Sequence, residues 1–123
     1  MINWNTISTI SVDSLRAELR TNYAVSLPEE IISIDDMYAV QKLLSRYSAN
    51  YSFLSAMEIE AKSMKRKAKR EKAGKEIIES YLEKEELFHT YAENMKMAYS
   101  SLSRMISVRQ QINEELKMTH ALT

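Results

Sequence analysis

One glycine and one proline in 123 residues leave this chain almost without punctuation. Glycine supplies left-handed turns and proline stops helices, so a chain nearly lacking both, and rich in Ala, Leu, Met, Glu and Lys, favours long continuous helix. The glycine is Gly74 and the proline is Pro28. The expectation is an all-α fold of a short N-terminal helix plus two long helices, an extended helical hairpin completed by oligomerisation. The length allows one domain at most.

Apolar spacing places the elements. Residues 1–10 are polar and β-branched without helical period, which predicts a flexible arm; Trp4 within it would either anchor a partner or cover its own domain. Residues 11–118 form the helical domain and residues 119–123 a fraying tail. Ser11 is positioned to cap a short helix that buries Val12, Leu15 and Leu19 and ends near Asn22. Pro28, Glu29 and Glu30 suit the first turn of a short helix or connector. With Ser33 or Asp35 as cap, a long helix then begins, and Met37, Val40, Leu44, Tyr47, Tyr51 and Leu54 alternate spacings of three and four. Met57, Ala61, Met64 and Ala68 carry the apolar side onward in a different register. Continuous from Asp36 to Lys72, such a helix extends about 55 Å.

Gly74 is the expected breakpoint. The final helix repeats the pattern at Tyr81, Phe88, Tyr91, Met95, Ala98, Leu102, Met105, Ile112 and Leu116, with Lys84 and Arg109 interrupting the seam. Leu87, Met97, Tyr99, Ile106 and Val108 lie off it. Two long helices and one short one offer more apolar surface than a compact monomer can enclose, so self-association is expected.

Charge is strongly segregated although the net charge is zero. Residues 62–75 hold eight basic side chains, Lys62, Lys65, Arg66, Lys67, Lys69, Arg70, Lys72 and Lys75, against Glu71 alone, a local charge of +7. Eight acids against four bases before this stretch, and eight against five after it, leave flanks of −4 and −3. On a helix, Lys62, Lys65, Arg66, Lys69 and Lys72 make one basic stripe beside Ala61, Met64 and Ala68. Like charges four apart oppose the helix by roughly 0.2–0.5 kcal/mol per pair, so a negative partner is expected. Phosphate is one candidate, because a basic face neutralises a polynucleotide backbone without reading bases. The chain itself is the other: folding back near Gly74 would bring Lys69 to Glu79, Lys65 to Glu83 and Lys62 to Glu86. Tyr81, nearest the basic band, is the favoured aromatic for base stacking, whereas Tyr47 and Tyr51 fall in the packing register.

Several function classes lack their signatures. One glycine cannot build a phosphate-cradling loop. With no cysteine, thiolate catalysis, disulfides and cysteine-bound zinc are excluded, and His89 and His120 are isolated, so neither a metal nor a cofactor is expected. No nucleophile context supports an enzyme. The methionines read as adaptable packing residues. No apolar run approaches about 18 residues and no secretory leader is evident, so a cytoplasmic protein with no membrane contact is expected.

The order of features resembles the UvsY-type recombination mediators of T4-like bacteriophages over roughly residues 11–118. Asp13-Ser14-Leu15-Arg16-Ala17-Glu18-Leu19 is similar to that family's opening helix, and Leu44-Ser45-Arg46-Tyr47-Ser48 to its next. Ile59-Glu60-Ala61-Lys62 leads into a basic region at the corresponding place, and a second long helix closes both chains. Lys67-Ala68-Lys69-Arg70-Glu71 stands where the family carries a Lys-Ala-Arg-Leu element implicated in DNA contact, keeping its basic character but not its pattern. A glycine-rich segment that follows in the family is missing, and the arm around Trp4 is extra. The resemblance implies a ring-like homo-oligomer in the bacterial host cytoplasm that binds single-stranded DNA through its basic segments. It also implies displacement of a single-strand-binding protein and loading of a RecA-like recombinase, which supplies the ATP chemistry. The competing expectation is a small phage helical interaction protein, an inhibitor, adaptor or scaffold, whose apolar faces dock on a protein. Recognition of structured RNA by the same band is a third.

Overall fold

The computed structural model describes residues 2–3, 5–25 and 37–122. Three helices carry these residues, α1 (Val12–Asn22), α2 (Met37–Arg70) and α3 (Lys75–Leu122), with no strand among the described residues. The all-α architecture expected from the sparse glycine and proline is therefore the one observed. The connector around Pro28, with its possible caps Ser33 and Asp35, lies outside the described residues, as does Trp4.

α1 starts where a side chain can satisfy an orphan amide: the Ser11 hydroxyl accepts from the Ser14 backbone N–H at 3.1 Å. Asp13 favours the positive end of the helix and pairs with Arg16 at 2.9 Å on the outside. Leu15 and Leu19, one turn apart, are fully buried, and each contributes about 1.5–3 kcal/mol as an upper estimate.

α2 and α3 form an antiparallel hairpin. Lys65 meets Glu85 and Glu58 meets His89, so contacts move down α2 as they move up α3. Val40, Tyr47, Leu54, Met57 and Ala61 from α2 face inward as their spacing predicts, and so do Phe88, Met95, Ala98 and Leu102 from α3, joined by Ala92, which the spacing did not mark. Burial pushes the Tyr47 phenol upward in pKa, with Arg46 opposing, which fits packing rather than base stacking. Ala61 and Ala68 lie toward the hairpin tip, where small side chains permit close helix approach.

The N-terminal segment departs from the flexible arm expected of it. Residues 5–10 form turns, with Ile10 N–H bonded to the Thr6 carbonyl at 2.8 Å. Ile2 and Ile7 are buried in the core formed by the three helices. β-branched apolar residues without a helical period serve here as a plug over the hairpin, a role periodicity does not reveal.

The break near Gly74 comes where expected but is made by a different residue. α2 ends at Arg70, and Lys72, not Gly74, takes the left-handed conformation at φ 54°. The Ala73 N–H reaches back to the Ala68 carbonyl at 2.9 Å and the Lys72 N–H to Lys69 at 3.2 Å. This is the Schellman termination, with a lysine where glycine is usual. Gly74 instead opens α3, its carbonyl accepting from the Ile77 and Ile78 amides at 3.0 and 3.2 Å. The sequence-based helix through Lys72 is thus two residues too long, because the Schellman turn closes the last carbonyls before Lys72.

The two long helices differ in length, with 34 residues in α2 and 48 in α3. Counting equal steps from Lys65–Glu85 and from Glu58–His89, the first turn of α2 lies opposite about residues 107–113 of α3. α3 continues through the tail expected to fray and reaches Leu122 as helix. Residues 107–120 are all exposed. Ile112 and Leu116, seam residues by spacing, consequently face solvent.

Candidate nucleic-acid interface

The eight basic side chains occupy the hairpin tip, on the last turns of α2, the 71–74 turn and the start of α3. Lys62, Arg66, Lys67, Lys69, Arg70, Lys72 and Lys75 are exposed. Lys65 is the exception. Its ammonium meets the Glu85 carboxylate at 2.6 Å, with only 16% and 15% of the two side chains accessible. Such a half-buried pair is screened little by solvent and commits Lys65 to the hairpin.

Of the self-neutralising pairs expected across the turn, none forms as drawn. Glu85 takes Lys65 in place of Glu83 because residues two apart on a helix point about 200° apart. Glu83 is therefore turned outward while Glu85 flanks the interface. Glu79 stays on its own helix, 3.7 Å from Lys75, an exposed contact of little energetic weight. Among the described residues, Lys62, Arg66, Lys67, Lys69, Arg70 and Lys72 have no carboxylate within 4.0 Å. Among the described residues, the strip is mostly un-neutralised.

Part of this charge has a local structural use. Lys67, Lys69 and Arg70 lie in the last turn of α2, where cations complement the negative end of the helix dipole. A helix terminus is satisfied by one or two such charges, and the excess remains directed at solvent. Ser63, Arg66, Lys69 and Arg70 line a shallow open recess on this face. A hydroxyl among guanidinium and ammonium groups makes a recess suited to phosphate oxygens. Lys72, placed on the helical stripe by spacing, sits in the turn beyond it and extends the positive surface around the tip.

The residue that spacing misjudges most is Lys84. Counted as an interruption of the seam, it is 3% exposed and lies within the α3 packing face. Its ammonium donates to the Ile7 carbonyl at 2.7 Å and stands 5.2 Å from the centre of the Tyr81 ring. Desolvation pulls its pKa below the ordinary lysine value. The one available signal was positional: Lys84 stands three residues after Tyr81 and four before Phe88, the place of a core residue. Tyr81, the favoured stacking aromatic, is half-buried with Lys84 against its ring. His89 bridges the helices farther down, with Nδ1 at 3.0 and 3.3 Å from the two Glu58 carboxylate oxygens.

No group of three or more His, Cys, Asp or Glu side chains is placed to hold a metal ion among the described residues. No described helix is long and apolar enough to cross a membrane. Compared with known proteins, the chain matches no family model, no curated protein and no solved structure.

Proposed function

We propose that this protein is a non-enzymatic, self-associating binder of single-stranded DNA that acts as a recombination mediator. In this role it promotes loading of a RecA-like recombinase and displacement of single-strand-binding protein in the cytoplasm of a bacterial host. The observation that carries the DNA-binding step is the strip of un-neutralised cations at the hairpin tip. Six side chains without a carboxylate partner among the described residues, close together on one helix end and turn, offer a flexible phosphate chain several simultaneous contacts. Each contact releases condensed counterions, so binding is driven by salt-dependent entropy and needs no base readout. Repetition of the strip in an oligomer adds avidity that one short strip lacks. The mediator step rests on the likeness to UvsY-type proteins.

The test is an anisotropy titration against labelled oligothymidylate over a range of salt. If all six cations engage phosphates, log K falls against log salt with a slope of about −4. Replacing Lys62, Arg66, Lys69 and Arg70 together by alanine brings the slope to about −1.4 and weakens binding at every salt concentration. A salt-independent signal rejects the reading. The mediator step is tested separately by recombinase assembly on oligonucleotide coated with single-strand-binding protein, where the quadruple variant gives no acceleration.

The reading as a protein-docking helical hairpin draws on a different observation, the exposed apolar side chains near the far end of α3. Retention of a protein partner by the quadruple-alanine variant, with no oligonucleotide bound by the parent, favours it.

A further inference from the structure

Among the described residues Lys84 is the one buried charged side chain, and the groups that meet its ammonium are neutral: the Ile7 carbonyl at 2.7 Å and the Tyr81 ring at 5.2 Å. The neighbouring Glu85 is taken by Lys65, and no carboxylate among the described residues lies within 4.0 Å of Lys84. An ammonium kept from water without a counter-charge costs stability, and a methionine would fill the same place without that cost. The N-terminal turn lies over this ammonium, since Ile7 accepts its hydrogen bond and is itself fully buried.

The turn can leave as a unit. Its polar groups satisfy one another: the Asn3 N–H donates to the Thr6 hydroxyl at 2.8 Å, the Asn5 N–H to the Asn3 side-chain oxygen at 2.9 Å and the Ile10 N–H to the Thr6 carbonyl at 2.8 Å. α1 does not depend on it, because the cap of that helix is Ser11. Undocking at the junction of residues 10 and 11 therefore gives up the hydrogen bond from Lys84 to Ile7 and the burial of Ile2 and Ile7, while the ammonium regains water.

Lys84 and Tyr81 stand at the level of the basic strip. Counting equal steps from Lys65–Glu85 and from Glu58–His89, Lys84 lies opposite about residues 63–66 of α2 and Tyr81 opposite about residues 66–69. Arg66, Lys67 and Lys69 belong to that stretch. We infer that the N-terminal turn is a detachable cover over a second part of the polyanion interface, and that a bound single strand selects the undocked state, in which Lys84 takes a phosphate and Tyr81 a base. This role rests on the proposed DNA binding. A strand that engages more groups in the undocked state than in the docked one shifts the molecule toward it by the ratio of the two affinities. Release of Lys84 also frees the ring face it occupies, and an aromatic face stacks on any base without reading sequence.

A salt titration of oligothymidylate binding is the test. The six exposed cations alone give a slope of about −4, and Lys84 as a seventh makes it about −5. Lys84→Met, which keeps the docked packing and offers no ammonium, should return the slope to about −4 with helical circular dichroism unchanged. A purely structural Lys84 would leave the slope where it was. Tyr81→Leu should weaken binding about fivefold or more at an unchanged slope. Ile2→Gln with Ile7→Gln, which removes the apolar hold on the turn, should bind about tenfold tighter. In that variant Lys84 should also be acetylated faster than in the parent, as read by mass spectrometry. If the double variant does not keep its helical circular dichroism, the slope of Lys84→Met decides alone. The same slope in Lys84→Met and parent, or a folded double variant that binds no tighter, overturns the inference and leaves the proposed function standing. No oligothymidylate binding by the parent at any salt concentration rejects the proposed function, and this role with it.

Discussion

Two positions on α3 trade the places their chemistry suggests: Lys84 is 3% exposed, and Ile112 is 42% exposed. Both sit where seam spacing puts an inward residue. Near the tip, α2, α3 and the N-terminal turn converge, and a lysine is enclosed because the Ile7 carbonyl and the Tyr81 ring accept its ammonium. At the far end only the first turn of α2 stands at the level of Ile112, and the isoleucine stays largely open to solvent. Heptad spacing thus says which side of a helix is suited to contact, while the presence of a neighbour decides whether contact happens.

The widest gap between the two regions should appear on truncation of apolar side chains. Phe88→Ala, in the three-helix core, should cost about 3–5 kcal/mol in urea unfolding. Ile112→Ala, measured at a concentration low enough for monomer, should change stability by less than about 0.5 kcal/mol. Similar values for the two would mean that the far end packs as tightly as the core.

Lys84 sharpens the contrast at intermediate scale. Lys84→Ala leaves the Ile7 carbonyl without its donor and opens a void, for a loss of about 2 kcal/mol. Lys84→Met keeps the packing and removes the ammonium, which isolates the titration. The folded pKa of Lys84 lies below 10.5, so the unfolded chain binds more protons between the folded and unfolded values. Wild-type stability relative to Lys84→Met should therefore increase as pH rises through that window toward 10.5. Tyr23 and Tyr47, whose raised pKa values act in the opposite sense above 10.0, drop out of the difference. A difference independent of pH would show that the lysine is solvated.

The smallest expected effect lies in the turn. Lys72→Gly removes a side chain from a left-handed position, and stability should rise by about 0.5–1 kcal/mol. Gly74→Ala, at a position without positive φ and with open space around a new Cβ, should not destabilise the fold. A loss from either would place the left-handed requirement at Gly74.

Much of the fold was legible in the chain before any coordinates. Ser11 reads as a cap because a hydroxyl ahead of an apolar period finds a free amide in the first turn. Val40 through Leu54 read as a seam because two helices bury stripes, and stripes have a period. The basic tip is legible as composition. Its division into Lys65, held by Glu85, and the remaining cations is not, since that depends on the rotation of α3 against α2.

Local rules, acting over three or four residues, determined that this chain is helical, where it breaks and which faces are apolar. Tertiary structure decided what those faces meet. The N-terminal turn became a plug, Lys84 became interior, Lys72 took the left-handed corner and residues 107–120 of α3 stayed exposed. The reason is that burial and charge pairing depend on groups far apart in the chain, and only the relative length and rotation of the packed helices bring those groups within reach.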